Sequence, residues 1–190
     1  MRRFLLALLA LLVPAAANAT GAIVDLITPA DERRLERFDE AKAKALSEAR
    51  AGGSAADLAV LEDVAGRRHL AFGDFDMGGD WQCRTIKAGG IATLVVYGWF
   101  KCRVSDDGSG WRLEKLSGSQ RTTGRFFTES DTAATYLGVY HVAGTPAPDY
   151  GKGPDSDQVG RTFRTGSAAW QIEFPLPTYE STFDILEFRR

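Results

Sequence analysis

From Leu70 onward the chain is written in period two. Short runs rich in aromatic and β-branched side chains alternate apolar with polar residues, and glycine, proline, serine and aspartate separate them. Alternation of this kind puts every second side chain on one face of a strand, so it dictates half-buried strands rather than helices. Eight such runs fall at 82–87, 93–104, 111–116, 122–128, 135–142, 158–164, 168–174 and 182–188. A sheet of that many strands has to close on itself or be covered. The expected fold is mainly β (α+β): an eight-stranded antiparallel β-barrel or sandwich over 70–190, preceded by two short N-terminal helices.

The connections are readable too. The stretch 105–110 (SDDGSG) reads as a flexible hairpin loop and 117–119 (SGS) as a second turn. The break at 144–157 carries Pro146, Pro148, Pro154, Gly151 and Gly153, and a loop of that length in a compact domain implies a covered site or mobility. In the longest run, Leu94, Val96, Gly98, Phe100, Cys102 and Val104 share one face and Val95, Tyr97, Trp99, Lys101 and Arg103 the other. Likewise Trp170, Ile172 and Phe174 alternate with Gln171 and Glu173, the pattern of a strand wet on one side.

Ahead of the strands lies a helical preface, 28–66. Thr28 caps, Pro29 fits the first turn, and Asp31 and Glu32 complement the positive end of the dipole. Leu35, Phe38, Ala41, Ala45 and Ala49 then form one thin apolar stripe that ends at Gly52-Gly53. A second helix starts at Ser54 with Asp57 in a capping pair, carries Leu58, Leu61 and Val64, and stops at Gly66.

The chain opens MRRFLLALLALLVPAAANAT. Two arginines, an apolar run over 4–13 and the triplet Ala17-Asn18-Ala19 are the layout of a secretory signal peptide over 1–19, cleaved before Thr20. The run is about half the ~20 residues of a membrane-spanning helix, so no membrane span is expected. A periplasmic or secreted protein results, with 20–190 as a single domain. Loss of the leader removes two arginines and takes the formal charge from −2 to −4. With its charges dispersed, the chain lacks the basic footprint of a nucleic-acid binder.

Cys83 and Cys102 are the only cysteines, and in an exported chain an even number implies a disulfide. Geometry supplies a condition. A two-residue hairpin centred on Gly89-Gly90 would set Cys83 opposite Val96 and leave Cys102 on the order of 20 Å away, whereas a bridge needs Cα atoms within about 7 Å. The bridge therefore requires a wider connection between these strands.

Chemical motifs are sparse. Asp74, Asp76 and Asp80 flank Gly78-Gly79 as in a calcium loop, but the twelfth position from Asp74 is Thr85, where an EF-hand needs glutamate. No metal site is expected there or at Asp155 and Asp157. Neither a dinucleotide nor a P-loop glycine motif is present, and no cofactor is called for. Ser119 with His141 is the one nucleophile and base pair that can be assembled, and no G-x-S-x-G elbow supports it. The many aromatics fill a β interior or line a cavity, since an eight-stranded barrel is just wide enough for side chains or one small ligand.

The stretches GDWQCRTIK, VVYGWFKCRV, EKLSGSQRTTGRFF, DQVGRTFR and PLPTYESTFDILEF together resemble a bacterial family of exported proteins catalogued as domain of unknown function 4893. That resemblance implies one exported domain and carries no activity, cofactor or catalytic residue. A looser similarity, through GDWQCR, is to small periplasmic β-barrel inhibitors of proteases and lysozyme. Polar groups without an evident structural task gather at Ser119, Gln120 and Arg121 and at Tyr179 and Glu180, on connections where binding residues usually sit. The expected function is a non-catalytic binding module for a small apolar ligand or an envelope protein partner. The alternatives are a hydrolase using Ser119 and His141 and an inhibitor of envelope enzymes.

Overall fold

The computed structural model describes residues 21–190; the leader read at 1–19 lies outside the described residues. The helices are α1 (Gly21–Val24), α2 (Pro29–Glu36), α3 (Phe38–Gly52) and α4 (Ala55–Ala65), and the strands are β1 (Gly79–Ala88), β2 (Leu94–Val96), β3 (Phe100–Asp106), β4 (Trp111–Lys115), β5 (Gln120–Thr128), β6 (Ala134–Val142), β7 (Asp157–Gly166), β8 (Ala169–Pro175) and β9 (Phe183–Arg189). Every pairing is antiparallel. From β3 to β9 each strand pairs with the next, and β1 joins β9 to β3 and closes an eight-stranded barrel. Closure leaves no edge along the ring.

β2 and β3 are the single long run of the sequence, interrupted. Both lie on the same edge of β1, with Ile86 opposite Val96 and Cys83 opposite Phe100, so one extra residue is accommodated at 97–99. This β-bulge reverses the faces assigned from alternation. Leu94 and Val96 point outward with Ile86 and Ala88, under the helices, whereas Phe100, Cys102 and Val104 point into the barrel. A face argument carried through a bulge fails because period two is lost at the extra residue.

The bulge and a wide turn together deliver the disulfide. A short 3₁₀ turn, Gly90–Ala92, replaces the tight hairpin, and Ala88 stands opposite Leu94. Cys83 and Cys102 are thereby brought to a Cα separation of 5.9 Å and are bonded.

Two apolar cores result, one on each side of the barrel wall. Inside, Trp81, Leu113, Tyr136, Trp170, Ile172, Phe174 and Phe188 pack with the disulfide, and the segment before β1 plugs that end with Phe75 and Met77. Trp170 stacks on Phe188 at 3.5 Å between ring centroids and meets Trp81 edge-on. The Tyr136 ring lies against the backbone of Gly124 and Gly138, where an added Cβ would come within 2.7 and 2.5 Å of it. Both positions need glycine for that close approach.

Outside, α3 lays Phe38, Ala41, Ala45 and Ala49 over β1, β8 and β9, while α4 covers β2. The alanines let the helix come close to the sheet. The first helix read from sequence is broken at Arg37, whose φ of −97° and ψ of 15° leave the helical range. Its halves follow different partners, because α2 turns to β7 while α3 stays on the closing strands. α3 also changes the reading of β8: Gln171 and Glu173 are fully buried beneath it, and Lys42 reaches Glu173 at 2.8 Å. The polar side of that strand is covered and neutralised rather than wet.

Candidate functional site: the polar mouth of the barrel

Strand direction sorts the loops into two ends. The connections after β1, β4, β6 and β8 gather at one end, which is the mouth, while those after β3, β5 and β7 gather with the 67–78 segment at the plugged end. Interior side chains change character along the same axis. On β1 the inward series Trp81, Cys83, Thr85 ends in Lys87; on β4, Leu113 is followed by Lys115; on β9, Phe188 and Leu186 lead back to Asp184. Each charged residue sits at the mouth.

Lys87 and Asp184 stand directly opposite in the β1–β9 ladder. Lys87 Nζ donates to Glu180 at 2.7 Å. Burial works against its charge, but Asp184 and Glu180 outweigh it and hold the ammonium above the ordinary lysine range. Asp184 accepts from the Ser181 hydroxyl, and burial pushes its carboxyl up to about 6 against the pull of Lys87.

Lys115 is different. It is only 8% exposed, donates to the Gln120 carbonyl at 2.7 Å and lies 4.3 Å from the Phe100 ring centroid. Among the described residues it joins no ion pair. Burial, with Arg121 and Lys87 nearby, lowers it to about 8. Thr122 and Gln158 share a 2.7 Å hydrogen bond beside it, and Thr122 also bonds the Tyr136 hydroxyl at 2.8 Å, which ties the mouth to the packed interior. The space left among Lys87, Lys115, Gln120, Thr122, Tyr140 and Asp184 is a cavity of about 50 Å³, room for a few waters.

The walls are built by the long 144–157 connection and by α2. Tyr150 donates to buried Asp31 at 2.7 Å, and burial together with that carboxylate raises the phenol above its ordinary range. Arg34 bonds Asp31, the carbonyls of Pro154 and Asp157, and Thr178, and so staples the loop to the 176–182 connection. The mouth loops are strained as well as tied. Thr93, Leu176 and Glu180 hold φ of 51°, 48° and 71°, the non-glycine residues in the left-handed region among those described. Such conformations cost of order 1–3 kcal/mol each and persist only where neighbours impose them. At Glu180, Lys87 and the Ala92 amide do so.

The rim is apolar. Of the seven large hydrophobic side chains exposed among the described residues, Ile91 (94% exposed), Leu116, Val142 and Tyr179 belong to mouth loops or the mouth end of a strand, Tyr97 lies at the β2–β3 bulge beside Lys115 and Ser119, and Val24 and Leu26 lie at the N-terminal turn.

Gln120, Arg121, Tyr179 and Glu180, named from sequence, are thus brought to one end of the barrel, with Ser119 beside Tyr97, Lys115 and Gln120. Arg121 does not pair with Glu180. It folds back on its own turn, donating to the carbonyls of Gly118 at 2.6 Å and Lys115 at 3.2 Å. His141 stands opposite Arg121 in the β5–β6 ladder and turns Nδ1 to the Thr145 carbonyl at 3.3 Å; no hydrogen bond joins it to Ser119 among the described residues. Asp76 accepts from the Gly78 amide, Asp80 pairs with Arg103, and Asp157 accepts from the Gly151 amide, so these carboxylates serve turns and strand ends. No described helix is long and apolar enough to cross a membrane.

Sequence reasoning missed Lys87, Lys115, Asp184, Tyr140 and Gln158. For the first three a signal existed: a charge continuing an inward face that is otherwise core-like. No curated protein and no solved structure matches the chain. Residues 24–188 match the family described as domain of unknown function (DUF4893), and the chain belongs to that family.

Proposed function

We propose that the protein is a non-catalytic binding protein whose partner is another protein, docked on the apolar rim and reaching into the polar mouth. The observation that carries this reading is the distribution of exposed hydrophobic residues: of the seven among the described residues, four stand at one end of the barrel with Tyr97 next to them, and none lies on the loops of the other end. Exposed apolar groups gathered around a polar depression are the character of an interaction surface.

Of the two occupants expected from sequence, the interior favours the protein over the small apolar ligand. Drug-sized ligands take pockets of about 300–1,000 Å³, and the side chains at the mouth leave small spaces of about 50, 50 and 80 Å³. His141 turns to the Thr145 carbonyl and, among the described residues, no hydrogen bond joins it to Ser119, which gives no support to hydrolysis. On the export expected from the leader at 1–19, with which the disulfide is consistent, the partner of this proposal is a periplasmic or extracellular protein. An inhibitor of an envelope enzyme is one form this reading takes.

The test is site-directed photo-crosslinking in the cells that make the protein, with a photoreactive phenylalanine analogue at position 91 or 142 on the rim and at 109 or 131 on the plugged end. A discrete adduct from the rim positions alone, weakened by Tyr97→Ser and Tyr179→Ser, is expected. Adducts from the plugged end alone, or equally from both ends, would overturn the reading.

A further inference from the structure

Resting on that reading, we propose that the partner's docking element carries a carboxylate, an aspartate, a glutamate or a chain terminus, which Lys115 receives at the floor of the mouth. The charges around the cavity lead there. Lys87 is matched by Glu180 at 2.7 Å and faces Asp184 across the ladder. Arg121 gives its hydrogen bonds to backbone carbonyls, which hold no formal charge. Lys115 has the Gln120 carbonyl and the face of Phe100. Among the described residues, two cations therefore border this space without an ion pair, while Asp184, which also lines it, faces Lys87.

A buried ammonium without a counter-ion is costly, and it has three N–H groups to direct. One is used on Gln120, and the cavity lies beside the others. An incoming carboxylate would displace the few waters the cavity admits and form a charge-assisted hydrogen bond to an ammonium that is only 8% exposed, where the low local dielectric strengthens such a bond. The same arrangement leaves Lys115 close to losing its proton while the mouth is open, since burial and its cationic neighbours disfavour the charge.

Size and surroundings select the source. About 50 Å³ admits a planar carboxylate and the methylene behind it, but no phospholipid headgroup. Asp155 and Glu180 on the surrounding loops also oppose an anionic membrane surface, whose recognition calls for basic residues outside rather than inside a cavity. The apolar rim then meets the apolar side chains flanking the carboxylate on the partner.

The experiment titrates the folded protein with N-acetyl-L-leucine, which joins a carboxylate to an apolar side chain, and with N-acetyl-L-leucinamide, which lacks the charge, following backbone amide resonances. Saturable shifts at Leu116, Gln120 and Arg121 are expected with the acid, with at least tenfold weaker binding of the amide. Lys115→Met, its disulfide and melting checked first, is expected to bring the acid down to the level of the amide. Equal binding of acid and amide by the unaltered protein, or an unchanged preference in Lys115→Met, overturns the role of Lys115. If neither compound shifts the mouth while rim cross-links persist, the carboxylate is wrong and the docking surface stands. If cross-links arise at the plugged end instead, the docking surface itself fails. Co-sedimentation with vesicles containing phosphatidylglycerol, lost on Ile91→Ser, would replace the protein partner by a membrane.

Discussion

The two ends of the barrel interior are filled by opposite chemistry on the same strands. Toward the plug, β1, β8 and β9 supply Trp81, Trp170 and Phe188, which meet ring to ring around a disulfide. Toward the mouth, β1, β4 and β9 supply Lys87, Lys115 and Asp184 around a small open cavity. A barrel of eight strands could have been packed through its full length with side chains of the first kind. The difference teaches that stability is concentrated in one half, and that the other half keeps buried charges whose removal a purely structural element would tolerate.

Substitutions that sharpen the contrast fall first on the packed half. Trp170→Ala removes a fully buried indole stacked on Phe188 and is expected to cost about 3–5 kcal/mol, read as a lower urea midpoint. Replacing Cys83 and Cys102 together by alanine opens a link spanning 19 residues and should cost about 3 kcal/mol in the same assay. Gly138→Ala forces a methyl into the Tyr136 ring and should cost about 1–3 kcal/mol. If any of these proves neutral, the plugged end is less tightly packed than its geometry indicates.

How far this division was readable from sequence depends on what each residue's neighbours along the chain disclose. Alternation exposed the strands, and the cysteine spacing, set against strand rise, exposed the need for a wide turn before β2. The barrel, rather than the sandwich, follows from the β1–β9 ladder, a pairing of residues about a hundred positions apart that no local pattern encodes. The bulge at 97–99 was hidden because Val95, Tyr97 and Trp99 continue the alternation unbroken on paper. Gln171 and Glu173 looked wet because only the docking of α3, with Lys42, covers them. At the mouth, the turn residues Gln120, Arg121, Tyr179 and Glu180 stood out as polar groups without a task, whereas Lys87, Lys115 and Asp184 resembled ordinary outward charges until their strands were given faces.

The mouth predicts smaller effects of opposite sign, and pH separates its members. Asp184 holds its proton up to about 6 in the fold and to its ordinary 3.8 when unfolded, so the folded state binds more protons between those values. Stability should fall as pH rises from about 4 to 6, with a slope of at most about 1.4 kcal/mol per pH unit, and Asp184→Asn should flatten that segment. Lys115 has the reverse linkage. It loses its proton at about 8 in the fold and at 10.5 unfolded, so across that window the unfolded state binds more protons and stability should rise with pH. Lys115→Met should abolish the rise and, near pH 7, leave the protein as stable or more stable by about 1 kcal/mol, because a lone buried ammonium has been replaced by an apolar chain of similar length. The melts can be run to pH 10 without thiol exchange, since the cysteines among the described residues are bonded to each other. A stabilised Lys115→Met that no longer distinguishes acid from amide would show that the charge is kept for recognition. A strongly destabilised one would show instead that its bond to Gln120 holds the turn between β4 and β5, and that the two ends of the barrel differ less in purpose than in composition.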